Sequence, residues 1–236
     1  MSGYSLGIKE LDDLVGDIRE GTNLMMIGPP MSRKDDLLDV IIYGNLSNAD
    51  DSAIIVSTRE PGERILGWFE ENGMDPSTVN LGVVDCVTKT LGIGAADVEG
   101  IKRASSPVDL TGIGVKISQF FEDFFVRKGS PRVRLCINSL STILMYSNLQ
   151  TVFRFLHVFT GRVKAAGGFG LYVVEDEMHD PQTIATLKQL FDGLIEIKAM
   201  GDSYAMRVVG LSPKPTPWFE YSIDGAEVSL SESKKA

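Results

Sequence analysis

The chain has 236 residues, 43% of them hydrophobic, which is enough to bury one sizeable core. Its formal net charge of −9, with no run of Lys or Arg before Lys234 and Lys235, lacks the basic stripe that tight non-specific binding to nucleic acid requires. No window reaches the ~18–20 apolar residues of a membrane span, and no signal-peptide pattern is present. We therefore expect a cytoplasmic protein that binds neither nucleic acid nor membranes.

Apolar runs alternate with amphipathic segments along the chain, and this order predicts a mostly parallel sheet that is covered on both faces. The predicted strands are residues 23–27, 53–57, 81–85, 133–138, 170–175 and 194–199. The predicted helices are residues 34–44, 63–71, 117–127, 149–166 and 181–191.

After residue 199 the pattern changes to short strands, predicted at residues 204–211, 218–223 and 227–230. Asp224-Gly225 between two of them is a strong hairpin signal, so we predict an antiparallel edge rather than another βαβ unit. Residues 1–230 are predicted to form a single domain, and the polar residues 231–236 a disordered tail. Residues 88–115 show no clear periodicity and predict one long loop, either a plain surface excursion or a functional segment.

The segment around residues 23–38 has the layout of a phosphate-binding loop. An apolar run leads into Gly28, and Lys34 follows six residues later at the start of a predicted helix, as in the strand, G-x-x-x-x-G-K-[ST], helix order of a Walker A loop. The second glycine is replaced by Arg33 and the magnesium-binding hydroxyl by Asp35. A bulky cation crowds the place where bare backbone N–H groups approach phosphate, and a carboxylate repels it. On this segment alone, a chance spacing in a surface loop is the alternative.

Further segments follow in a fixed order at residues 5–21, 56–60, 136–141 and 190–196. The first, from Ser5-Leu-Gly7 to Gly21, is similar to a T-G-I-x-x-L-D-x-L-L-G-G pattern that precedes the first strand. Together with the loop, these segments resemble the KaiC-like branch of the RecA superfamily of P-loop ATPases over nearly the whole chain. The resemblance implies a RecA-like three-layer α/β/α fold with a mostly parallel central sheet and a C-terminal antiparallel extension.

The resemblance also assigns roles to individual positions. Active members carry glycine at the position of Arg33 and threonine or serine at the position of Asp35. At the position of Asn138 they carry an aspartate that orients magnesium. At the position of Arg59 they carry one of two paired glutamates. The other glutamate is kept as Glu60. The vestigial phosphate loop consists of Gly28, Pro29, Pro30, Met31, Ser32, Arg33, Lys34 and Asp35.

The charges at these positions predict that the site is neutralised from within. We expect Arg33, Lys34 or Arg59 to pair with Asp35 or Glu60. Alternatively, Lys34 is a solvated lysine at a helix start and Arg59 an exposed loop arginine. We also expect the loop to be collapsed or to hold a simple anion, with Arg33 turned into the space of the β-phosphate.

These features predict a catalytically inactive, archaeal-type ATPase homologue that is not an enzyme. We expect it to act as a regulatory or protein-interaction module in signal transduction. We also expect an unidentified protein partner and no metal or nucleotide cofactor. His157 and His179 lack ligand partners at metal-binding spacing. One alternative is a residual nucleotide-binding protein or slow ATPase that uses Lys34 and Glu60. A second is a recombination-type module on DNA. A monomer or dimer is expected rather than a hexameric ring, because the nucleotide between subunits is lost.

Overall fold

A sheet of ten strands forms the centre of the molecule, in a computed structural model that describes residues 3–46, 49–94 and 96–232, with the side chain at 232 excepted. The strand order is β10-β9-β8-β7-β1-β6-β5-β2-β3-β4. The strands are β1 Asn23–Gly28, β2 Asp51–Ser57, β3 Asn80–Asp85, β4 Ile101–Arg103, β5 Arg132–Ile137, β6 Phe169–Glu175, β7 Gly193–Met200, β8 Ser203–Val209, β9 Phe219–Asp224 and β10 Glu227–Glu232.

Strands β7, β1, β6, β5, β2, β3 and β4 pair in parallel, whereas β8, β9 and β10 continue the sheet antiparallel from β7. β1, β2 and β6 are buried along their whole length, as continuous apolar strands covered on both faces must be. The predicted parallel sheet with an antiparallel C-terminal extension is therefore confirmed.

Helices cover both faces of this sheet and bury a separate core on each. They are α1 Lys9–Val15, α2 Lys34–Tyr43, α3 Gly62–Glu71, α4 Leu110–Phe121, α5 Leu140–Tyr146, α6 Leu149–Ala165 and α7 Pro181–Lys188. Side chains of α1, α2 and α3 pack in one core, and those of α4, α5, α6 and α7 in the other. This arrangement is the three-layer α/β/α architecture. Within the described residues, no helix is long and apolar enough to cross a membrane.

The prediction of one long loop over residues 88–115 is wrong. The segment contains β4, and α4 begins at Leu110, seven residues before the predicted start of that helix. Asp109 caps α4 by accepting a hydrogen bond from the Gly112 N–H at 2.8 Å. The sequence did not predict this first turn because it contains Gly112 and Gly114, and glycine disfavours helices. At Gly114 a Cβ would lie 3.2 Å from the Phe159 ring, so close helix packing explains one of them.

Two helices and the end of the last strand also differ from the predictions. Helices α1 and α5 were not predicted; each has only seven residues, too short for helical periodicity to appear in the sequence. At the other end, β10 continues through Glu232, so residues 231 and 232 belong to the hairpin rather than to a tail. The rest of the predicted tail, residues 233–236, lies outside the described residues.

Candidate functional site

The carboxyl ends of four adjacent parallel strands bring the predicted site residues together. β1 ends at Gly28, directly opposite Glu175 at the end of β6. β5 and β2 lie next to them and end at Ile137 and Ser57. Ligands in open α/β sheets bind outside this edge, so the topology places the predicted phosphate loop where a ligand site is expected.

The phosphate loop between β1 and α2 keeps a strained backbone form. Met31 and Arg33 have φ values of 63° and 57°, in the left-handed region that glycine adopts without cost. Arg33, the residue in place of the second Walker glycine, is also the N-cap of α2. The loop therefore has a conformation suited to glycine although both positions carry side chains.

Lys34 is folded back into its own loop. Its ammonium lies 2.5 Å from the Pro29 carbonyl oxygen, 2.9 Å from Ser32 Oγ and 2.7 Å from Glu175 Oε2. The Lys34 side chain is only 2% exposed. An ammonium group has three N–H donors, and three acceptors surround this one. Two of these contacts are hydrogen bonds, to Pro29 and Ser32, and the third is an ion pair with Glu175, whose Oε2 accepts no hydrogen bond. The ammonium is thus bound within the protein, and the alternative of a solvated lysine at the helix start is wrong.

The Arg33 side chain points away from the loop, contrary to the prediction that it fills the β-phosphate space. Its Nη1 donates to the carbonyl oxygen of Ile223 in β9 at 2.7 Å, and its Nε to Asp36 at 2.6 Å. The Tyr221 hydroxyl, also in β9, donates to the Ser32 carbonyl. The C-terminal hairpin draws the arginine outward because it offers a carbonyl acceptor that sequence analysis could not place.

Arg59, after β2, joins the same group of charges. Its Nη1 lies 2.9 Å from Asp35 Oδ2 and 3.3 Å from Glu175 Oε1. The predicted pairing of a site cation with Asp35 is therefore confirmed, while Glu60 is not part of it. Lys34, Glu175, Arg59 and Asp35 form a continuous chain of two cations and two anions, which we call the charge ladder.

Two aspartates of α2 remain poorly compensated beside this ladder. Burial raises the pKa of Asp35 to about 6, against the opposing effect of Arg59. Asp35 Oδ1 is buried and accepts no hydrogen bond. Burial, reinforced by the carboxylates of Asp35, Asp36 and Glu60, raises the pKa of Asp39 well above its ordinary value. Both carboxyl groups therefore keep their protons to a higher pH than an exposed aspartate does.

The amide of Asn138, which follows β5, is held by its neighbours. Its Oδ1 accepts from the Thr58 backbone N–H at 3.0 Å and from the Thr58 hydroxyl at 3.2 Å, and its Nδ2 donates to Ser57 Oγ at 3.3 Å. Asn138 thus offers magnesium a neutral amide in place of a carboxylate. The Lys34 ammonium is already occupied, and the carboxylate of Asp35 repels phosphate. These side chains do not fit a magnesium–triphosphate.

A cavity of about 520 Å³ opens beside the ladder, between α2, α3 and the segment after β2. Its lining consists of Asp35, Asp36, Asp39, Arg59, Glu60, Glu63, Arg64, Ile65, Gly67, Trp68, Glu71 and Asn138. Four predicted positions thus share one surface: Asp35, Arg59, Glu60 and Asn138. The other acidic residues of this surface were not predicted: Asp36 and Asp39 of α2, and Glu63 and Glu71 of α3.

A serine–histidine contact lies behind the ladder. His179 Nε2 is 2.8 Å from Ser141 Oγ, and the same oxygen accepts from the Glu175 backbone N–H at 2.9 Å. Ser141 is 1% exposed, so it anchors the segment after β6 and presents no nucleophile to solvent. Burial lowers the pKa of His179. Among the described residues, no group of three or more His, Cys, Asp or Glu side chains is arranged to hold a metal ion.

The family follows from comparison with known sequences. A model described as "Family of unknown function (DUF7504)" matches residues 21–197. The chain belongs to the DUF7504 family. No curated protein matches this DUF7504 chain.

Two of the solved structures that share its fold come from Pyrococcus horikoshii. The uncharacterized protein PH0321 from Pyrococcus horikoshii, in complex with an unknown peptide, aligns with a TM-score of 0.74 and 19% identity over 98% of this chain and 100% of its own. The KaiC-like protein PH0186 from Pyrococcus horikoshii OT3 aligns with a TM-score of 0.69 and 13% identity over 98% and 99%. The KaiC-like, RecA-type fold implied by the sequence resemblance is confirmed by this likeness, which at such identities concerns the fold alone.

Glu175 is the site residue that sequence reasoning missed. The sequence does show that a carboxylate, Glu175, ends the apolar run that forms β6. It does not show that β6 pairs with β1, because Gly28 and Glu175 are far apart in the chain. Without the strand order, nothing in the sequence shows that Glu175 faces Lys34.

Proposed function

We propose that this DUF7504 chain is a catalytically inactive RecA/KaiC-like homologue that acts as a regulatory or protein-interaction module. In this proposal the chain acts as one domain that ends with β10, the protein is a cytoplasmic monomer or dimer, and it takes part in signal transduction. Its partner is another protein rather than a nucleotide, a membrane or a nucleic acid.

The observation that carries the proposal is the occupied ammonium of Lys34. In a P-loop ATPase this group reaches the phosphates as a free cation. Here it contacts Pro29, Ser32 and Glu175, and the ladder balances its charge. Binding a triphosphate requires breaking these buried contacts and bringing a polyanion next to Asp35, which favours a site without nucleotide.

Protein interaction is supported by a fold relative. The structure of PH0321, which aligns with 98% of this chain, is in complex with an unknown peptide. We extend peptide binding to this chain as part of the proposal. The acidic cavity beside the ladder is the surface that we propose for it.

A residual nucleotide-binding protein is the second candidate. It is favoured by the left-handed backbone at Met31 and Arg33, which keeps a glycine-like loop form. An intact loop shape would allow binding if Lys34 exchanged Glu175 for a phosphate.

Steady-state ATP hydrolysis and calorimetric titration with ATP, with and without magnesium, test the proposal. We expect no heat of binding and no hydrolysis above that of a Lys34→Met control, because metal binding, metal orientation and water activation are each altered. Loss of one electrostatic stabiliser alone costs ~10²–10³-fold in rate.

Turnover of ~1 s⁻¹ or faster that disappears in Lys34→Met would contradict the proposal. Magnesium-dependent ATP binding without turnover would instead favour the second candidate. Circular dichroism establishes that the control variant is folded.

A further inference from the structure

The cavity between α2 and α3 has an unusual balance of charge. Six of its lining side chains are carboxylates, those of Asp35, Asp36, Asp39, Glu60, Glu63 and Glu71, against the two guanidinium groups of Arg59 and Arg64. In an ATPase of this fold the neighbouring space receives a polyanion. Here the surface of the cavity is predominantly negative.

Internal pairing accounts for only half of these carboxylates. Asp35 pairs with Arg59, Asp36 with Arg33, and Glu63 with Arg103. In the described part of the chain, the carboxylates of Asp39, Glu60 and Glu71 make no hydrogen bond or ion pair, and Arg64 is the one unpaired cation in the lining. Three carboxyl groups without a counter-charge therefore remain within the cavity.

Asp39 is the decisive side chain. It is 8% exposed, and the exposed part faces the cavity. Keeping a carboxyl group ionised at this depth without a partner is costly, because burial removes most of its hydration. A cation entering the cavity would supply the missing partner.

Two observations define the kind of cation. No three potential ligands converge on a metal position within the described residues, so a bare metal ion does not fit the arrangement. The cavity also contains the half-buried ring of Trp68 and the side chain of Ile65. A planar guanidinium forms two parallel hydrogen bonds to carboxylate and stacks on aromatic rings, whereas an ammonium is a point charge.

We propose that this cavity binds an arginine side chain carried by a partner protein, with Asp39 as its buried counter-charge and Trp68 as its apolar wall. This inference rests on the proposed function as a protein-interaction module and names the chemistry of the partner. The surface related to an anion site in active ATPases thereby becomes a cation site.

Fluorescence titration tests the inference, because Trp68 and Trp218 are the only tryptophans in the chain. In a Trp218→Phe background, Trp68 alone reports on the cavity. The probe is the peptide Ac-Gly-Arg-Gly-Arg-Gly-amide, and the comparison peptide carries citrulline, a neutral side chain of nearly the same shape, in place of both arginines. We expect the arginine peptide to change the Trp68 emission and to bind at least about tenfold more tightly.

Two variants locate the binding. Asp39→Asn keeps the shape and removes the charge, so the affinity for the arginine peptide should fall about tenfold or more. Glu71→Gln, at the rim, should weaken binding less and in a manner that salt diminishes. Asp75→Asn, an exposed carboxylate outside the cavity lining, is the matched control and should leave the affinity unchanged.

Equal affinity for the arginine and citrulline peptides would overturn the inference, as would equal affinity of Asp39→Asn and the parent. Equal losses in Asp39→Asn and Asp75→Asn would also overturn it, since they indicate diffuse attraction to an acidic protein. Failure in these assays leaves the proposed function standing if ATP is neither bound nor hydrolysed. Conversely, ATP hydrolysis overturns the proposed function whatever the peptide does.

Discussion

Two clusters of buried charge lie at opposite ends of the parallel strands and differ in how completely their charges are paired. At the amino ends, Asp51 of β2 accepts from Arg134 Nη1 at 2.7 Å and from Arg132 Nε at 3.0 Å. Arg134 also donates to Asn45 at 2.9 Å, and both guanidinium groups stack on the Tyr4 ring. In this cluster two arginines share one carboxylate, and each arginine also contacts other groups.

At the carboxyl ends, the ladder pairs its own four charges but leaves Asp39 without a counter-charge. Each cluster contains a buried ion pair, Asp51 with Arg134 at one end and Glu175 with Lys34 at the other, so burial of that pair does not distinguish them. We expect the amino-end cluster to stabilise the fold, whereas in our proposal the carboxyl-end cluster leaves Asp39 available to an external partner. Opposite effects on stability are expected when each is neutralised.

The largest expected effect is at the amino end. Asp51→Asn leaves the two arginines without their shared carboxylate, so the free energy of unfolding should fall by about 3–5 kcal/mol. Urea denaturation measures this loss. The neighbouring exposed residue provides the control, since Asp50→Asn should change stability by less than about 0.5 kcal/mol. Equal stability of the two variants would show that the cluster is not structural.

A repaired nucleotide site is the next largest effect. Arg33→Gly with Asp35→Thr and Asn138→Asp removes the altered loop and metal positions, and Glu175→Gln releases Lys34 from its counter-ion. We expect this fourfold variant to bind ATP with magnesium, and ATP at 100 times Kd then stabilises it by about 2.7 kcal/mol. Thermal unfolding with and without ATP measures the gain.

The matched control is the same variant with Glu175 retained, which should bind ATP less tightly because Lys34 stays paired. Hydrolysis should remain weak until Arg59→Glu restores a base. If the fourfold variant folds but binds no ATP, the cause of inactivity lies outside the ladder.

Neutralising the carboxyl-end cluster should have the opposite sign. The folded-state pKa of Asp39 lies above its unfolded value, so the folded protein holds more protons and this group lowers stability as pH rises. Asp39→Asn should therefore be more stable than the parent at pH 7.5, by ~1–2 kcal/mol. The difference should shrink below about pH 4, where an unfolded Asp is also protonated.

Denaturation of both proteins between pH 4 and pH 8 gives this difference directly. Asp75→Asn serves as the control, since hydrogen bonding to Ser77 lowers the pKa of Asp75 and reverses the sign of its contribution. A variant at position 39 that is less stable than the parent at pH 7.5 would contradict the account of Asp39 as an uncompensated charge.

The smallest expected effect concerns the loop backbone. Met31 is 89% exposed and has a φ of 63°, so its side chain adds strain with little burial in return. Met31→Gly should raise stability by about 0.5–1 kcal/mol, because relief of the strain outweighs the added freedom of the unfolded chain. Met31→Ala keeps the Cβ and should give no gain. Equal stabilities of these two variants would show that the loop is not strained.

The sequence predicted the parts of the molecule that depend on local pattern. Strands such as β2 and β6 are apolar throughout because both of their faces are buried, and the fold class followed from their alternation with helices. The pairing of Arg59 with Asp35 followed from a resemblance that placed both positions in one site. These inferences needed no knowledge of which strands are neighbours.

The parts that failed depend on contacts between distant segments. Glu175 meets Lys34 only because β6 lies beside β1, and Arg33 turns outward only because β9 presents the Ile223 carbonyl. The acidic cavity arises from the packing of α2 against α3, with Asp39 and Glu71 far apart in sequence. Strand order and helix placement decide these contacts, and single-sequence patterns do not contain them.

The bonds from β9 to the phosphate loop have a consequence for local unfolding. β9 pairs with β8 through three residue pairs, at Tyr221, Glu220 and Phe219, and then contacts the loop through Tyr221 and Arg33. These two hydrogen bonds add to the apolar packing of Phe219 and Ile223 in attaching the hairpin to the domain. The hairpin and the loop should therefore open together as one cooperative unit, with matching rates of amide hydrogen exchange, while β1 beneath them stays protected.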